Sequence, residues 1–197
     1  TVIMPKLIMH QLGYGKRVLC AIPKKSSARG AAEFAAKCLD VKLGEQVGYY
    51  FKGDRAIDQN GVKTILSYTT TGSLTSRIKG NDRYLKDYDA IVIDEAHERS
   101  VQMDFLFLLL KSIVEKRKDI RIIIMSATMD FEKFRNFYPQ PAFNFGEIDV
   151  GSGTTHPITE HWLARELKPR EWEKETIKTI IDILKTSEAG DILVFVK

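Results

Sequence analysis

The sequence predicts an α/β protein built on a parallel β-sheet with helices packed against it. Short apolar runs at 17–22, 89–93 and 121–125 alternate with longer segments of helical character. These runs lack the period-two alternation of a half-exposed strand, which is the pattern of strands covered on both faces. Two of them end in reactive side chains, Asp94-Glu95 after the second and Ser126-Ala127-Thr128 after the third. Strand–helix alternation implies right-handed crossovers between parallel strands. In such a sheet, ligands bind at the carboxyl ends of the strands.

The elements follow in order. A helix over 1–12 stops near Gly13 and Gly15, and the strand 17–22 comes next. The alanine-rich stretch 26–39 reads as a helix with Ser26 or Ser27 as its N-cap. A short strand over 47–51, a polar loop over 54–61 and a strand over 62–68 lead to Thr70, which caps a helix over 72–78. After the strand 89–93, Met103, Leu106, Leu110 and Ile113 recur at helical spacing, with Phe107 and Val114 beside them, and this stripe faces the core. A helix over 131–137 ends before Pro139, and 142–145 reads as a last strand. The small-residue stretch from Gly151 to Thr155 marks a linker, dividing the chain into a domain at 1–150 and the start of another at 151–197. Beyond it, 158–164, 171–184 and 191–196 read as strand, helix and strand. Trp162 and Trp172 are expected to pack within this second part, although an exposed tryptophan can stack on a base.

Composition narrows the classes. With 44% hydrophobic and 28% charged residues, 197 residues suffice for one full core and part of another. The balance of 30 basic against 26 acidic residues gives +4, which permits nucleic-acid binding without arguing for it. Cys20 and Cys38 have neither metal spacing nor a disulfide framework, so a reducing compartment, nucleus or cytoplasm, is expected. No apolar run is long enough to cross a bilayer, so no membrane association is expected, and the chain reads as a monomer.

The chemistry centres on the two strand ends. Asp94 can hold a magnesium ion through its water shell, because this hard cation prefers oxygen ligands. Glu95 can orient or deprotonate a water that attacks a γ-phosphate. Hydroxyls at Ser126 and Thr128, at the end of a second strand, suit a hydrogen-bonded link between hydrolysis and movement. Each residue also has a plainer reading: an Asp-Glu pair can be a solvated strand terminus, His97 a packing histidine, Lys24 and Lys25 a solvated loop, and Arg99 a helix-end ion pair. His10, His156 and His161 show no ligand spacing.

The chain resembles the DEAH-box helicases, the RNA-directed branch of superfamily 2. Asp94-Glu95-Ala96-His97-Glu98-Arg99-Ser100 is similar to the family's motif II with its tail, and Ser126-Ala127-Thr128-Met129-Asp130 to motif III. Tyr68-Thr69-Thr70-Thr71-Gly72-Ser73-Leu74 resembles motif Ib, and Gly44-Glu45-Gln46-Val47-Gly48-Tyr49 the segment before the third strand. Pro23-Lys24-Lys25 stands where motif Ia carries Pro-Arg-Arg, and Thr71 where the family usually has aspartate. Lysine keeps the charge but lacks the planar fork of arginine, so phosphate contacts at Lys24 and Lys25 should be looser and the member divergent.

The resemblance implies a RecA-like sheet of the P-loop NTPase type, the beginning of a second RecA-like domain, and ATP and Mg2+ as cofactors. It implies that Asp94, Glu95 and His97 are catalytic, that Thr1 joins Asp94 at the metal and nucleotide, and that Ser126, Thr128 and Arg99 couple nucleotide state to the domain cleft. Pro23, Lys24, Lys25, Thr70, Thr71 and Gly72 would hold single-stranded RNA, with DNA as a second candidate, and an activating protein partner is consistent with the family. The Gly-x-x-x-x-Gly-Lys-Ser/Thr loop is not in the sequence, and Thr1-Val2-Ile3-Met4-Pro5 resembles the helix that follows it. The expectation is therefore a partial motor core, inactive by itself. The alternatives are an ATP-driven switch that does not unwind, a nucleic-acid-binding scaffold, and a DNA-directed helicase.

Overall fold

The computed structural model describes residues 1–58, 64–139, 142–151, 156–186 and 190–195. It divides into two compact units, Thr1–Ile148 and Asp149–Lys197. In the first, helix α1 (Ile3–Gln11) leads to strand β1 (Val18–Ile22), helix α2 (Lys25–Cys38), strands β2 (Val47–Phe51), β3 (Asp54–Ala56) and β4 (Leu66–Thr70), and helix α3 (Thr71–Lys79). Strand β5 (Ala90–Ile93), a single 3-10 turn (Ala96–Glu98), helix α4 (Val101–Lys116), strand β6 (Arg121–Ile124) and helix α5 (Phe131–Phe137) complete it. The strands form one sheet in the order β3-β2-β4-β1-β5-β6, parallel throughout except for the β2–β3 pair.

The uninterrupted apolar run of β1 is explained by two covers. Val18, Cys20 and Ile22 face a cluster with Met9 of α1 and the alanines of α2, while Leu19 and Ala21 face a cluster with Leu74, Leu106 and Leu110 of α3 and α4. Ala28, Ala31, Ala32, Ala35 and Ala36 give α2 a face with no long side chain to hold it off the sheet. The stripe predicted on α4 is its buried face: Met103, Leu106, Phe107, Leu110 and Ile113.

Several elements differ from expectation. Helix α2 starts at Lys25, with Lys24 as an N-cap in extended conformation and no side-chain cap, so Ser26 and Ser27 lie inside the helix. The polar loop expected from residue 54 instead opens with β3, which turns back on β2 through Lys52 and Gly53. Strand β4 starts later than expected because its pairing with β1 begins at Leu66, opposite Val18. The start of the expected strand, Val62 and Lys63, lies outside the described residues. Strand β6 is only half-buried, since it ends the sheet and has β5 on one side alone. No strand forms at 142–145; Phe143 is buried by edge-on packing against Tyr138 instead of by pairing.

In the second unit, helix α6 (Trp172–Thr186) matches the predicted helix. The strands expected at 158–164 and 191–196 are absent among the described residues, where no neighbouring strand offers a ladder. Trp162 is 85% exposed, so it does not pack as expected. Most of the Gly151-to-Thr155 linker lies outside the described residues. Among the described residues no helix is long and apolar enough to cross a membrane.

Leu110→Ala, which empties a fully buried site between α4 and the sheet, should lower the unfolding free energy by about 2–5 kcal/mol. Leu108→Ala on the exposed face should change it by less than about 0.5 kcal/mol. Urea denaturation distinguishes the two. Gly48→Ala should disrupt the β2–β3 pairing, because an added Cβ would lie 2.3 Å from the Ala56 carbonyl oxygen.

Candidate functional site

Parallel pairing brings the carboxyl ends of four strands to one level. Ile22 of β1 is opposite Thr70 of β4, Ala21 is opposite Ile93 of β5, and Ile93 is opposite Ile124 of β6. The residues immediately after these ends, at 23–25, 71–72, 94–95 and 125–128, therefore share one edge of the sheet. A cleft of about 280 Å³ opens there, lined by Thr1, Pro23, Lys24 and Glu95 among others.

Asp94 lies at the base of this edge and is only 6% exposed. Its backbone N–H donates to the Ala21 carbonyl at 2.9 Å, continuing the β5–β1 ladder. One carboxylate oxygen accepts the Glu95 N–H at 2.9 Å, and the other accepts the Thr1 hydroxyl. Glu95 then takes a left-handed backbone conformation, with φ of 56°, which disfavours a non-glycine residue by of order 1–3 kcal/mol. The neighbouring Ala96 N–H donates to the Met125 carbonyl at 3.0 Å and so ties this turn to the end of β6.

The imidazole of His97 extends that tie. Its Nε2 is 3.3 Å from a Glu95 carboxylate oxygen, and its Nδ1 accepts the Ala127 N–H at 3.4 Å. With Nδ1 accepting, the ring proton of a neutral imidazole is on Nε2, facing the Glu95 carboxylate. The sequence pointed to the hydroxyls of Ser126 and Thr128 at this strand end; the hydrogen bond from this turn to His97 is made by the Ala127 backbone N–H. The Ser126 hydroxyl closes its own turn by donating to the Thr128 carbonyl at 2.9 Å. Arg99 turns elsewhere, making a two-pronged ion pair with Asp104 at 2.8 and 3.2 Å in the first turn of α4. Ser100 caps that helix by accepting the Met103 N–H at 3.2 Å.

The basic side is assembled by β1, β2 and β4. The Lys24 ammonium is 3.9 Å from the Glu98 carboxylate, across the cleft mouth from Pro23. Lys25 donates to the Lys52 carbonyl at 2.8 Å and its ammonium is 5.8 Å from the centre of the Phe51 ring. Thr70 caps α3 as expected: its hydroxyl accepts the Ser73 N–H at 3.2 Å, with the side chain buried. Thr71 is also buried and its hydroxyl has no partner among the described residues, so its side chain is closed off from a passing ligand. Gly72 is half-exposed at the head of α3, and a Cβ there would stand 3.3 Å from the amide oxygen of Gln102. Sequence reasoning passed over Lys52, for which the hairpin glycine, Gly53, was the available signal, and named Glu98 only as part of the motif after Asp94.

The Asp94 carboxylate and the Thr1 hydroxyl offer oxygen donors, and the described residues hold no group of three or more His, Cys, Asp or Glu side chains that could hold a metal ion. Magnesium is usually held by one or two carboxylates, with water and substrate phosphates completing its shell, so this sparse donor set fits it. Behind the edge, burial and then the charge of Asp94 push the Cys20 thiol well above its ordinary range. Burial likewise raises the Tyr68 phenol, whose hydroxyl has no partner.

The family model described as DEAD/DEAH box helicase matches residues 1–137. Along its whole length the chain is 33% identical to "Putative ATP-dependent RNA helicase L540" of Acanthamoeba polyphaga mimivirus and spans 28% of that protein. Over 95% of its residues it superposes on the crystal structure of the Escherichia coli DEAH/RHA helicase HrpB, with a TM-score of 0.79 and 25% identity, covering 23% of that chain. The chain belongs to the DEAD/DEAH box helicase family, and its sheet has the family's RecA-like fold. It spans about a quarter of the length of these two relatives.

Thiol reactivity checks the burial assigned here. In the native protein near neutral pH, Ellman's reagent should label exposed Cys38 and leave Cys20 unmodified until denaturant is added.

Proposed function

We propose that this chain is the ATP-binding and RNA-gripping part of a DEAH-type helicase or translocase, coupling ATP hydrolysis to RNA unwinding or ribonucleoprotein remodelling. The observation that carries the reading is the His97 side chain, which spans Glu95 and the Ala127 backbone. A solvated strand terminus does not need an imidazole held at both nitrogens between two strand ends. The DEAH assignment is supported by Asp94-Glu95-Ala96-His97 followed by Glu98-Arg99-Ser100, and by the name of one relative, a DEAH/RHA helicase; the other is named only as an ATP-dependent RNA helicase.

In this reading, Thr1 and Asp94 hold magnesium through oxygen, and the bound ion neutralises charge developing on the nucleotide phosphates. Glu95 orients the attacking water or takes its proton. Its left-handed backbone aims the carboxylate off the sheet edge, and the His97 Nε2 proton limits its swing. A change at Glu95 then reaches Ala127, and so the Ser126–Thr128 turn, through one imidazole. Lys24 and Lys25 supply cations for a strand's phosphates, and the amide at the head of α3, beside Gly72, lies open to the backbone. Such contacts carry little sequence information, so the target is selected by other means. Intracellular action in nucleus or cytoplasm, as a monomer working with an activating protein, is the setting that the reading implies.

The test is ATP hydrolysis by the full-length protein, with and without single-stranded RNA, beside Glu95→Gln. Turnover stimulated by RNA should fall by on the order of 10²- to 10⁴-fold in the variant. Hydrolysis that ignores Glu95 would overturn its assigned role, and absence of both turnover and nucleotide binding in the full-length protein would replace the motor with a binding scaffold. Equal stimulation by DNA would point to a DNA translocase. His97→Ala should keep ATP binding but lose most of the RNA stimulation.

A further inference from the structure

We propose that Glu98 is a built-in competitor for the bound strand: its carboxylate holds the Lys24 ammonium, and a backbone phosphate of the strand must displace it to bind there. The proposal rests on the RNA-gripping reading of Lys24. Lys24 follows the end of β1 and Glu98 ends the 3-10 turn after β5, so the pair joins two neighbouring strand ends. Both side chains line the cleft of about 280 Å³ that also holds Thr1 and Glu95. Among the described residues the Lys24 ammonium has no other partner, and neither has the Glu98 carboxylate. The adjacent Lys25 differs, because its ammonium already donates to the Lys52 carbonyl at 2.8 Å. Lys24 is therefore the lysine whose charge is free to change partners.

Distance decides what kind of contact this is. At 3.9 Å the two groups attract each other as charges, but they stand beyond the roughly 2.7–2.9 Å of a charge-assisted hydrogen bond. The side chains are 73% and 37% exposed, so no burial locks the pair and water screens it. A phosphate oxygen that comes within hydrogen-bond distance takes the same ammonium with a shorter contact, because the ammonium only donates and either anion accepts. The exchange leaves the Glu98 charge beside the arriving phosphate, two like charges at one cleft mouth, so Glu98 lowers the affinity for a strand at this lysine. Its backbone restricts any retreat: the Glu98 N–H donates to the Glu95 carbonyl at 3.1 Å, and left-handed Glu95 and Arg99 bracket the turn. The competitor is thus mounted on the same turn as the carboxylate assigned to the attacking water.

The experiment is equilibrium binding of fluorescent oligouridylate to the full-length protein without nucleotide, at low ionic strength, for wild type, Glu98→Gln, Lys24→Gln and the double variant. Glu115→Gln, which removes the same charge near the far end of α4, controls for net charge. All three side chains are exposed, and equal thermal midpoints confirm the fold. Glu98→Gln should bind about two- to fivefold more tightly than wild type, the range an exposed ion pair supports, and the gain should vanish when Lys24→Gln is also present. It should shrink as salt rises, since both charges face solvent. The same gain in the Lys24→Gln background, or with Glu115→Gln, would reduce the effect to net charge and overturn the competition. Unchanged affinity of Glu98→Gln would remove Glu98 from the strand's path. A parallel titration with a non-hydrolysable ATP analogue, without RNA, separates the two sources of phosphate at this cleft: tightening there instead of with RNA would transfer Lys24 to the nucleotide and overturn the proposal. Lys24→Gln that binds RNA like wild type would refute the RNA-gripping reading of Lys24 itself, an outcome separate from any failure of Glu98.

Discussion

Parallel pairing at a fixed register is the constraint on which the rest of this molecule depends. The ladders that match Ile22 with Thr70, Ala21 with Ile93 and Ile93 with Ile124 place four chain reversals at one height. Apart from Thr1, every residue given a role in the proposed function leaves the sheet from one of those reversals. A slip of one residue in β5 would exchange its two buried faces and carry Asp94 away from the Thr1 hydroxyl. The two hydrophobic clusters on opposite faces prevent that slip, so the position of the carboxylates is set by the packing of Val92 on one side and Ile91 and Ile93 on the other.

Short-range connections then finish what register begins. The chain turns through a left-handed Glu95 and a 3-10 turn before α4, and left-handed Arg99 ends that turn. These unfavourable conformations persist because both ends are tied, one to the Met125 carbonyl and the other to the capped start of α4. His97 stands in the middle of this strained segment. Its contact with Glu95 follows from the local geometry of one turn, whereas its contact with Ala127 requires the end of β6 to lie alongside.

The buried strands and the α4 stripe were legible in the sequence because continuous β-branched runs and three-to-four spacing have few other physical meanings. Asp94, Glu95 and the motif at 126–128 were legible as a neighbouring pair for the same reason: strand ends of a parallel sheet must share an edge. Hydrogen-bond direction was less accessible. Nothing in Ser126-Ala127-Thr128 shows which group will bond to His97, and only the turn geometry gives that hydrogen bond to the Ala127 backbone. Strand β3 was missed because three residues, two of them charged, carry no alternating signal, and its existence depends on β2 offering an open ladder. The strands expected beyond residue 157 failed for the converse reason, since a suitable pattern does not make a strand without a neighbour to bond.

The antiparallel β3 also has a bearing on how molecules meet one another. An open parallel edge at β2 would present a long row of unsatisfied N–H and C=O groups to any other extended chain. Instead, that margin is closed by a strand of only three residues containing Asp54 and Arg55, with Asp54 accepting the Tyr49 hydroxyl at 3.0 Å. Charge, shortness and a sharp turn at Gly53 make it a poor template for another strand. The element least visible in the sequence is thus the one that blunts this side of the sheet against edge-to-edge aggregation.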